Sequence, residues 1–505
     1  MSPNIEIKNL EVKNYKQLLA TMEKAYHNWN GSLWSEGSIE KLIEKFPEGQ
    51  FVIFADGIVV GSAFSILLNS DDISDTHTYK EITANGLFST HDETGNILYG
   101  VEVFVHPDYR GLRIGRRLYD ARKELCEQLN LQAIVFGGRI PNYHKYASEY
   151  SPKEYIQKVK QKEIYDPVLS FQLNNDFHVK KVIKNYMPDD LQSQEFAALL
   201  QWDNVYYSSE SKINEKSRKS IRIGLIQWKM RLFSSIDEMF QQAEHFIDAI
   251  ASYKSDFAVF PEYFNAPLMH EFEMSEAEAM RAMSQYTQQI KEKFSEFAVA
   301  YNVNIIAGSM PVYEDNVLKN IGYLCHRNGK VESYEKIHIT PDEVKFWGLS
   351  GGSKLQTYET DAGKIGILIC YDVEFPELPR LLAEEGMQIL FVPYLTDTQN
   401  AYMRVRACAQ ARAIENECFV AITGSVGNLP KVENFDLHYS QSVVFTPSDF
   451  AFPSNGIKSE ATANTEMILI SDVDLKLLDE LHSYGSVRNL KDRRHDFYSL
   501  KKIQK

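Results

Sequence analysis

The chain has 505 residues, of which 44% are hydrophobic, 12% aromatic and 24% charged, with a formal net charge of −15. That length exceeds one ordinary core, so two or three globular domains are expected. The acidic balance argues against a broad nucleic-acid footprint, which needs clustered basic surface. Five cysteines (Cys126, Cys325, Cys370, Cys408 and Cys418) show no CxxC pair and no metal-ligand spacing, so free thiols in a reducing compartment and no metal are expected. The opening MSPNIEIKNLEVKNY carries no apolar stretch fit for a signal peptide, and no run approaches the ~18 apolar residues of a spanning helix. The expected location is the cytoplasm, away from membranes.

In chain order, Ile5–Leu10 reads as a strand and Tyr15–Ala25 as a helix. Gly49–Ala55 and Ile58–Phe64 read as a hairpin around the turn pair Asp56-Gly57. Val101–Val105 is a further strand. Arg116–Leu129 places Leu118, Ala121, Leu125 and Leu129 at helical spacing, and Ala133–Gly137 is again a strand. These elements compose a compact α/β domain over residues 1–207. The stretch SSESKINEKSRKS, residues 208–220, is polar, charged and aperiodic, which marks a linker.

From residue 221 to 505 the pattern is larger. DFAVF, NVNIIAG, KIGILI, MQILFVP and CFVAITG are near-continuously apolar, as strands covered on both faces are. Helical stretches run over Glu273–Tyr301 and Ala401–Glu415. Leu318–Tyr323 and Lys330–Lys336 flank an Asn328-Gly329 hairpin turn.

Two reactive side chains sit at the carboxyl ends of these buried strands. DFAVF runs into Pro261-Glu262, and KIGILI runs into Cys370-Tyr371-Asp372. Sites in α/β sheets form just outside such ends. A thiol has a reference pKa of ~8.5 and needs a base or a nearby cation to become a nucleophile. Glu262 can take its proton, and Lys336, in SYEKIHITPDE, can face the forming oxyanion. The expectation is an ionised sulfur on which a carboxylate and an ammonium converge.

FPEYF, EKIHITPDE and LICYDVEFPE, in that order, resemble the nitrilase superfamily of carbon–nitrogen hydrolases. VRACAQARAIEN and VAITGSVGNLP extend the resemblance over residues 221 to 478. It implies an αββα sandwich that pairs into a homodimer or higher homo-oligomer, and a hydrolase without a cofactor. It implies Cys370 as nucleophile, Glu262 as general base, Lys336 as transition-state cation, Glu343 as a second glutamate and the Tyr371 backbone N–H as oxyanion donor. The Cys-Tyr-Asp triplet resembles amidases and carbamoyl-amide hydrolases more than nitrile hydrolysers, so the expected chemistry is hydrolysis of a small linear amide or carbamoyl amide through a thioester. Nitrile hydrolysis is the alternative.

A lone cysteine at a strand end is usually a small core residue, and it is the company of Glu262, Lys336 and the flanking motifs that argues otherwise. Cys325 and Cys408 read as packing. Arg412 and Glu415 read as a structural ion pair on a helix surface, worth under ~1 kcal/mol.

In the N-terminal half, VEVFVHPDYRGLRIGRRLYDARKEL is a strand, a turn and a helix. Backbone N–H groups at such a helix start favour phosphate oxygens, and Arg110, Arg113, Arg116 and Arg117 add positive charge. The segment resembles the acetyl-CoA-binding loop of the GNAT N-acetyltransferases, although Arg113 stands where the loop's first glycine is usual. The resemblance implies acetyl-CoA as co-substrate, held by Val103, Val105, Arg110, Gly111, Arg113, Gly115, Arg116 and Asn142. Tyr143, Tyr146 and Glu102 are candidate acids or bases for acetyl transfer to an amine. The alternation along Val101–Val105 leaves open whether Glu102 faces solvent. A regulatory acyl-CoA-binding module without catalysis, and a scaffold with a dead hydrolase site, are the competing readings. Small-molecule amides and amines are the expected partners.

Overall fold

The computed structural model describes residues 3–27, 33–73, 76–207 and 220–503. They divide into two compact units, one before residues 208–219 and one after them. The predicted linker, Ser220 excepted, lies outside the described residues.

The first unit contains strands β1 (Ile5–Asn9), β2 (Gln50–Ala55), β3 (Ile58–Leu68), β4 (Ile97–Val105), β5 (Ala133–Arg139), β6 (His178–Ile183) and β7 (Ala197–Asp203). They form one sheet in the order β1-β2-β3-β4-β5-β7-β6. The predicted hairpin is present, with Asp56 and Gly57 at φ 48° and 79°, the left-handed pair that a two-residue hairpin loop requires. Helices α1 (Tyr15–Ala25), α2 (Glu36–Lys45) and α3 (Tyr79–Ile82) cover one face, packing Leu18, Met22, Leu42 and Ile82 with Phe64, Tyr99 and Val101. Helices α4 (Ile114–Gln128), α5 (Pro152–Lys160) and α6 (Leu169–Leu173) cover the other, packing Tyr119, Leu125, Ile156 and Leu169 with Leu98, Ile134 and Phe136. Alternate strand residues thus feed two cores. In the DPVLSFQLNNDFHVKKVIKNY stretch, α6 precedes β6. Asp166 accepts from the backbone N–H of Val168 and Leu169 at 3.0 and 2.9 Å and winds the chain there.

The second unit contains β8 (Ser220–Met230), β9 (Phe257–Val259), β10 (Asn304–Ile306), β11 (Met310–Glu314), β12 (Val317–Cys325), β13 (Val331–Glu335) and β14 (Tyr358–Thr360). β15 (Gly363–Ile367), β16 (Ile389–Tyr394), β17 (Phe419–Asn428), β18 (Leu437–His438), β19 (Val443–Phe445), β20 (Ile457–Glu460) and β21 (Met467–Asp474) follow. One sheet runs β11-β12-β10-β9-β8-β21, with β13 also on β12. The other runs β14-β15-β16-β17-β19-β20. They meet face to face, with the Phe257 and Phe391 rings 4.9 Å apart. β8 is long enough to belong to both. It pairs with β9 and β21 along most of its length and with β17 at Trp228–Met230.

Helices α7 (Ile236–Ser252), α8 (Glu276–Ala282) and α9 (Thr287–Tyr301) cover the first sheet; α10 (Glu377–Glu384), α11 (Gln399–Glu415) and α12 (Lys476–Tyr484) pack with the second. This is the expected αββα sandwich. The helix expected over Glu273–Tyr301 is broken into α8, a tighter turn at Met283–Tyr286 and α9. At the break, the Ser284 hydroxyl accepts the Tyr313 N–H of β11 at 2.6 Å.

Candidate active site

Glu262, Lys336 and Cys370 each reach the second unit's site from just past the end of a strand. The chain leaves β9 through Pro261, and Glu262 forms a bridge to Ser309 beyond β10. Lys336 follows β13 directly, its N–H bonded to the Asn320 carbonyl of β12. Cys370 begins a short turn three residues beyond β15. Its φ is 48°, a left-handed conformation that costs a non-glycine residue about 1–3 kcal/mol and that recurs at functional sites. Glu343 opens the helical turn Glu343–Trp347. Its Oε2 accepts from the N–H and hydroxyl of Thr340 at 2.9 and 3.0 Å, and its own N–H donates back to that hydroxyl.

These four residues converge. Lys336 Nζ donates to Glu262 Oε1 at 2.8 Å and to both Glu343 oxygens at 2.7 and 2.8 Å. Leu395, just past β16, joins Glu262 and Cys370: its N–H donates to Glu262 Oε2 at 3.0 Å, and its carbonyl accepts from Cys370 Sγ at 3.5 Å. All four side chains are buried. A lysine and a glutamate that would be solvated surface charges if alone here form an enclosed cluster.

Burial sets the protonation states. It works against the Lys336 charge, but Glu262 and Glu343 outweigh it and hold the ammonium well above its ordinary pKa. Burial, reinforced by Glu343, wins at Glu262 and raises its carboxyl. Burial also opposes the Glu343 charge, yet Lys336 and the Thr340 and Tyr263 bonds bring its pKa below the ordinary value. Two carboxylates on one lysine are thereby pushed apart, one toward proton transfer and one toward permanent charge. Burial and the Glu262 charge push the Cys370 thiol well above its usual value. These causes oppose the ionised sulfur expected from sequence and favour a resting thiol, which needs a base to take its proton for attack.

Tyr371 is the second residue of the Cys370–Glu374 turn, where a helical start leaves N–H groups without intrahelical acceptors. Cys325 closes β12 and is fully buried, its thiol pushed up to about 12 by burial. Cys408 is half-buried on α11.

In the first unit, β4 and β5 are parallel but pair only over Ile97–Tyr99 against Ala133–Val135. Beyond Tyr99 the ladder stops, and β4 runs on to Val105, shortly before the turn Pro107–Leu112 that leads into α4. Arg113, in the place of the usual glycine, adopts φ 52° and caps α4. Arg110 and Gly111 are exposed, and Val103, Val105 and Arg116 are half-buried. Gly115 answers a packing need, since a Cβ there would lie 2.7 Å from the Phe171 ring. The PNYHKYA stretch contains only the short turn Tyr143–Lys145. Asn142 is engaged by Tyr165 and Lys145 at 3.1 and 3.0 Å, Tyr143 donates to the Tyr150 carbonyl at 3.1 Å, and Tyr146 packs on Tyr150 and Tyr155. The three are thus occupied with local contacts.

Glu102 turns inward. The β3–β4 register slips between Phe64 and Ser65, which face Glu102 and Gly100, so the alternation that left its direction open is broken by a bulge. Arg122 of α4 holds this bulge: it donates to the Ser65 hydroxyl at 3.0 Å and to the carbonyls of Phe64 and Glu102 at 2.5 and 2.6 Å. Gly100 leaves room for it, since a Cβ there would sit 3.0 Å from Arg122 Nη1.

The carbon-nitrogen hydrolase family model matches residues 222–483. The chain belongs to that family. The hydrolase also matches the acetyltransferase (GNAT) family model over residues 16–147, so a GNAT domain precedes the nitrilase-superfamily domain. The probable hydrolase YhcX of Bacillus subtilis is 45% identical over 98% of this chain and 96% of its own length. The uncharacterized N-acetyltransferase YkwB of the same organism is 37% identical over 35% of this chain and 79% of its own. The human omega-amidase NIT2 is 27% identical over 56% of this chain and 98% of its own.

Several residues of this hydrolase site went unmarked in the sequence. Asn320 of β12 donates to Glu262 Oε1 at 2.9 Å. Tyr263 donates to Glu343 Oε1 at 2.9 Å. Asp372, fully buried, accepts from the N–H groups of Ile337 and His338 at 3.0 and 2.7 Å, tying the Lys336 segment to the Cys370 turn. Arg412 is buried rather than on the helix surface. It bonds Glu415 at 3.0 Å as expected but spends its other donors on the carbonyls of Val373 and Glu374, holding the same turn from behind. The adjacency of Asp372 to Cys370 was a usable signal; Asn320, midway along an ordinary strand, offered none.

Proposed function

We propose that the hydrolase domain cleaves a small linear amide or carbamoyl amide, with Cys370 as nucleophile. Glu262 takes the thiol proton as sulfur attacks the carbonyl carbon. The oxyanion is met by Lys336 Nζ and the Tyr371 N–H. Collapse of the tetrahedral intermediate breaks the C–N bond, Glu262 returns the proton to nitrogen, and ammonia or an amine leaves a thioester on Cys370. Water, deprotonated by Glu262, releases the acid and restores the thiol. Glu343 keeps Lys336 charged and in place throughout. The observation that carries this reading is the enclosed convergence of Glu262, Lys336, Glu343 and Cys370, and the omega-amidase relative supports the amide over the nitrile.

We propose further that the GNAT domain transfers acetyl from acetyl-CoA to an amine, with the α4 N-terminus and Arg110, Arg113 and Arg116 toward the diphosphate and Glu102 as base. The family match and the short pairing of β4 with β5 support this. No helix among the described residues is long and apolar enough to cross a membrane.

The test is ammonia release across linear amides, carbamoyl amines and nitriles. Amides or carbamoyl amines should turn over, and Cys370→Ala should lose all measurable turnover. Nitrile turnover alone, or activity retained in Cys370→Ala, overturns the reading. Labelled acetyl-CoA with an amine panel tests the GNAT domain; an absence of acetylated product would favour a binding module.

A further inference from the structure

Glu343 is bonded by Lys336, by Thr340 and by Tyr263, and the last of these leads out of the site to a carboxylate that hydrolysis does not use. The Tyr263 hydroxyl donates to Glu343 Oε1 at 2.9 Å. Tyr263 itself has φ 52°, a left-handed conformation that a bulky residue keeps only where its surroundings enforce it. Its backbone N–H is bound to the Ser309 carbonyl at 2.8 Å, and its ring is held by two others. Trp347 and Phe435 stack with centroids 5.1 Å apart and planes 4° apart, and each meets the Tyr263 ring edge-on at 5.7 Å. All three rings are buried.

The stacked pair spans two loops. Trp347 ends the helical turn that Glu343 opens, and Phe435 lies in residues 429–436, which connect β17 to β18. Glu276, the first residue of α8, reaches both loops. Its Oε1 accepts from the Trp347 indole N–H, and its Oε2 accepts from the Asn434 side-chain amide at 2.6 Å. A carboxylate in the first turn of a helix ordinarily serves the helix end, but here that work falls to another residue: Ser275 and Glu278 form the capping box of α8, with the Ser275 N–H donating to Glu278 at 3.2 Å. The Glu276 carboxylate is spent on the two loops instead. Glu276 is half-buried and Asn434 is exposed, so the tie runs from the protein surface to the enclosed cluster.

We propose that Glu276 is a positioning residue for the hydrolase: by fixing the Trp347–Phe435 pair it fixes Tyr263, and through the Tyr263 hydroxyl it aligns Glu343 and hence the Lys336 ammonium. It touches no reacting atom. The consequence for turnover rests on the hydrolysis reading above; the alignment of the cluster does not. Glu276 supplies geometry rather than charge, since both groups it bonds are neutral donors. A glutamine can therefore take its place, its oxygen accepting from the indole and its amide N–H donating to Asn434 once that side chain turns its own oxygen inward. An alanine bonds neither loop.

Two measurements on the full chain test this: steady-state hydrolysis, and alkylation of Cys370 by iodoacetamide followed on the Cys370 peptide by mass spectrometry. Glu276→Ala should lower kcat about five- to fiftyfold with KM within about twofold, and should slow alkylation by about threefold or more. Glu276→Gln should stay within about threefold of the unaltered protein in both. Tyr263→Phe removes the hydroxyl and keeps the ring; in that background Glu276→Ala should cost less than about threefold further, because the link through which it acts is already gone. An unchanged kcat in Glu276→Ala, a loss in Glu276→Gln as large as in Glu276→Ala, or fold-changes that simply multiply in the double variant would overturn the proposal. Circular-dichroism melts show whether each variant folds. If Glu276→Ala does not, Asn434→Ala removes one arm at an exposed position and should lower kcat about two- to fivefold; no change there would be equally fatal. Should the unaltered protein turn over no amide, carbamoyl amine or nitrile, the hydrolysis reading falls and alkylation decides alone: slowing in Glu276→Ala with recovery in Glu276→Gln keeps the positioning role, and a rate unmoved by Glu276→Ala removes it.

Discussion

Glu262 and Glu102 are the same side chain in two different solutions to one problem. Both are pushed up in pKa by burial, and both are delivered by a break in regular strand geometry, one past the end of β9 and one at a bulge in β4. Glu262 is balanced by charge, with Lys336 at 2.8 Å and Glu343 completing the cluster. Glu102 is balanced by neutral donors and remains half-open. The first arrangement suits proton transfer inside an enclosed site, because fixed charges there need no reorganisation during reaction.

The largest expected effect that separates them is at the enclosed base. Glu262→Gln should lower kcat for ammonia release by about 10²–10⁴. In the unaltered protein kcat/KM should fall as pH drops through the raised Glu262 pKa, above the ordinary carboxylate value, because the base works only when deprotonated. A pH profile flat down to ordinary carboxylate values would break the contrast with an open carboxylate. Next in size is Asp372→Asn, which leaves the reacting groups intact but loosens the tie between the Lys336 segment and the Cys370 turn. Misplacement of that kind costs up to about 10²-fold, and it should appear in kcat with KM little changed. The smallest is Arg122→Met in the other unit. Unpaired carbonyls at Phe64 and Glu102 should lower stability by about 1–3 kcal/mol each, read as a lower melting temperature. Hydrolysis, in a separate unit, serves as the control.

The same contrast explains what the sequence disclosed. Cys370, Glu262 and Lys336 each sit in a local run whose neighbours also act: Asp372 beside the cysteine, and Thr340 and Glu343 beyond the lysine. Their grouping was therefore legible along the chain. The helix limits at Tyr15–Ala25 and the hairpin at Asp56-Gly57 were equally legible, because periodicity and turn chemistry are local. The inward turn of Glu102 was not, since Tyr26 and Tyr79 come from dispersed positions, and a bulge defeats reading by alternation. Arg122 did leave a trace: it lies between Leu118 and Leu125 on the apolar stripe of its helix, where an arginine needs a buried acceptor. The direction of the Cys370 thiol's shift was also out of reach, because burial by residues distant in the chain causes it.

The pairing of β8 fixes an order of events. Ser220 lies opposite Asp474 and Gln227 opposite Met467, so the first strand of the hydrolase half waits for one of the last to be synthesised. The GNAT half, its described elements ending at β7, has all its partners long before then. A nascent chain would thus carry a finished N-terminal globule while a long apolar strand edge stays uncovered, and stalled or shortened translation products should be captured by chaperones or aggregate through that edge.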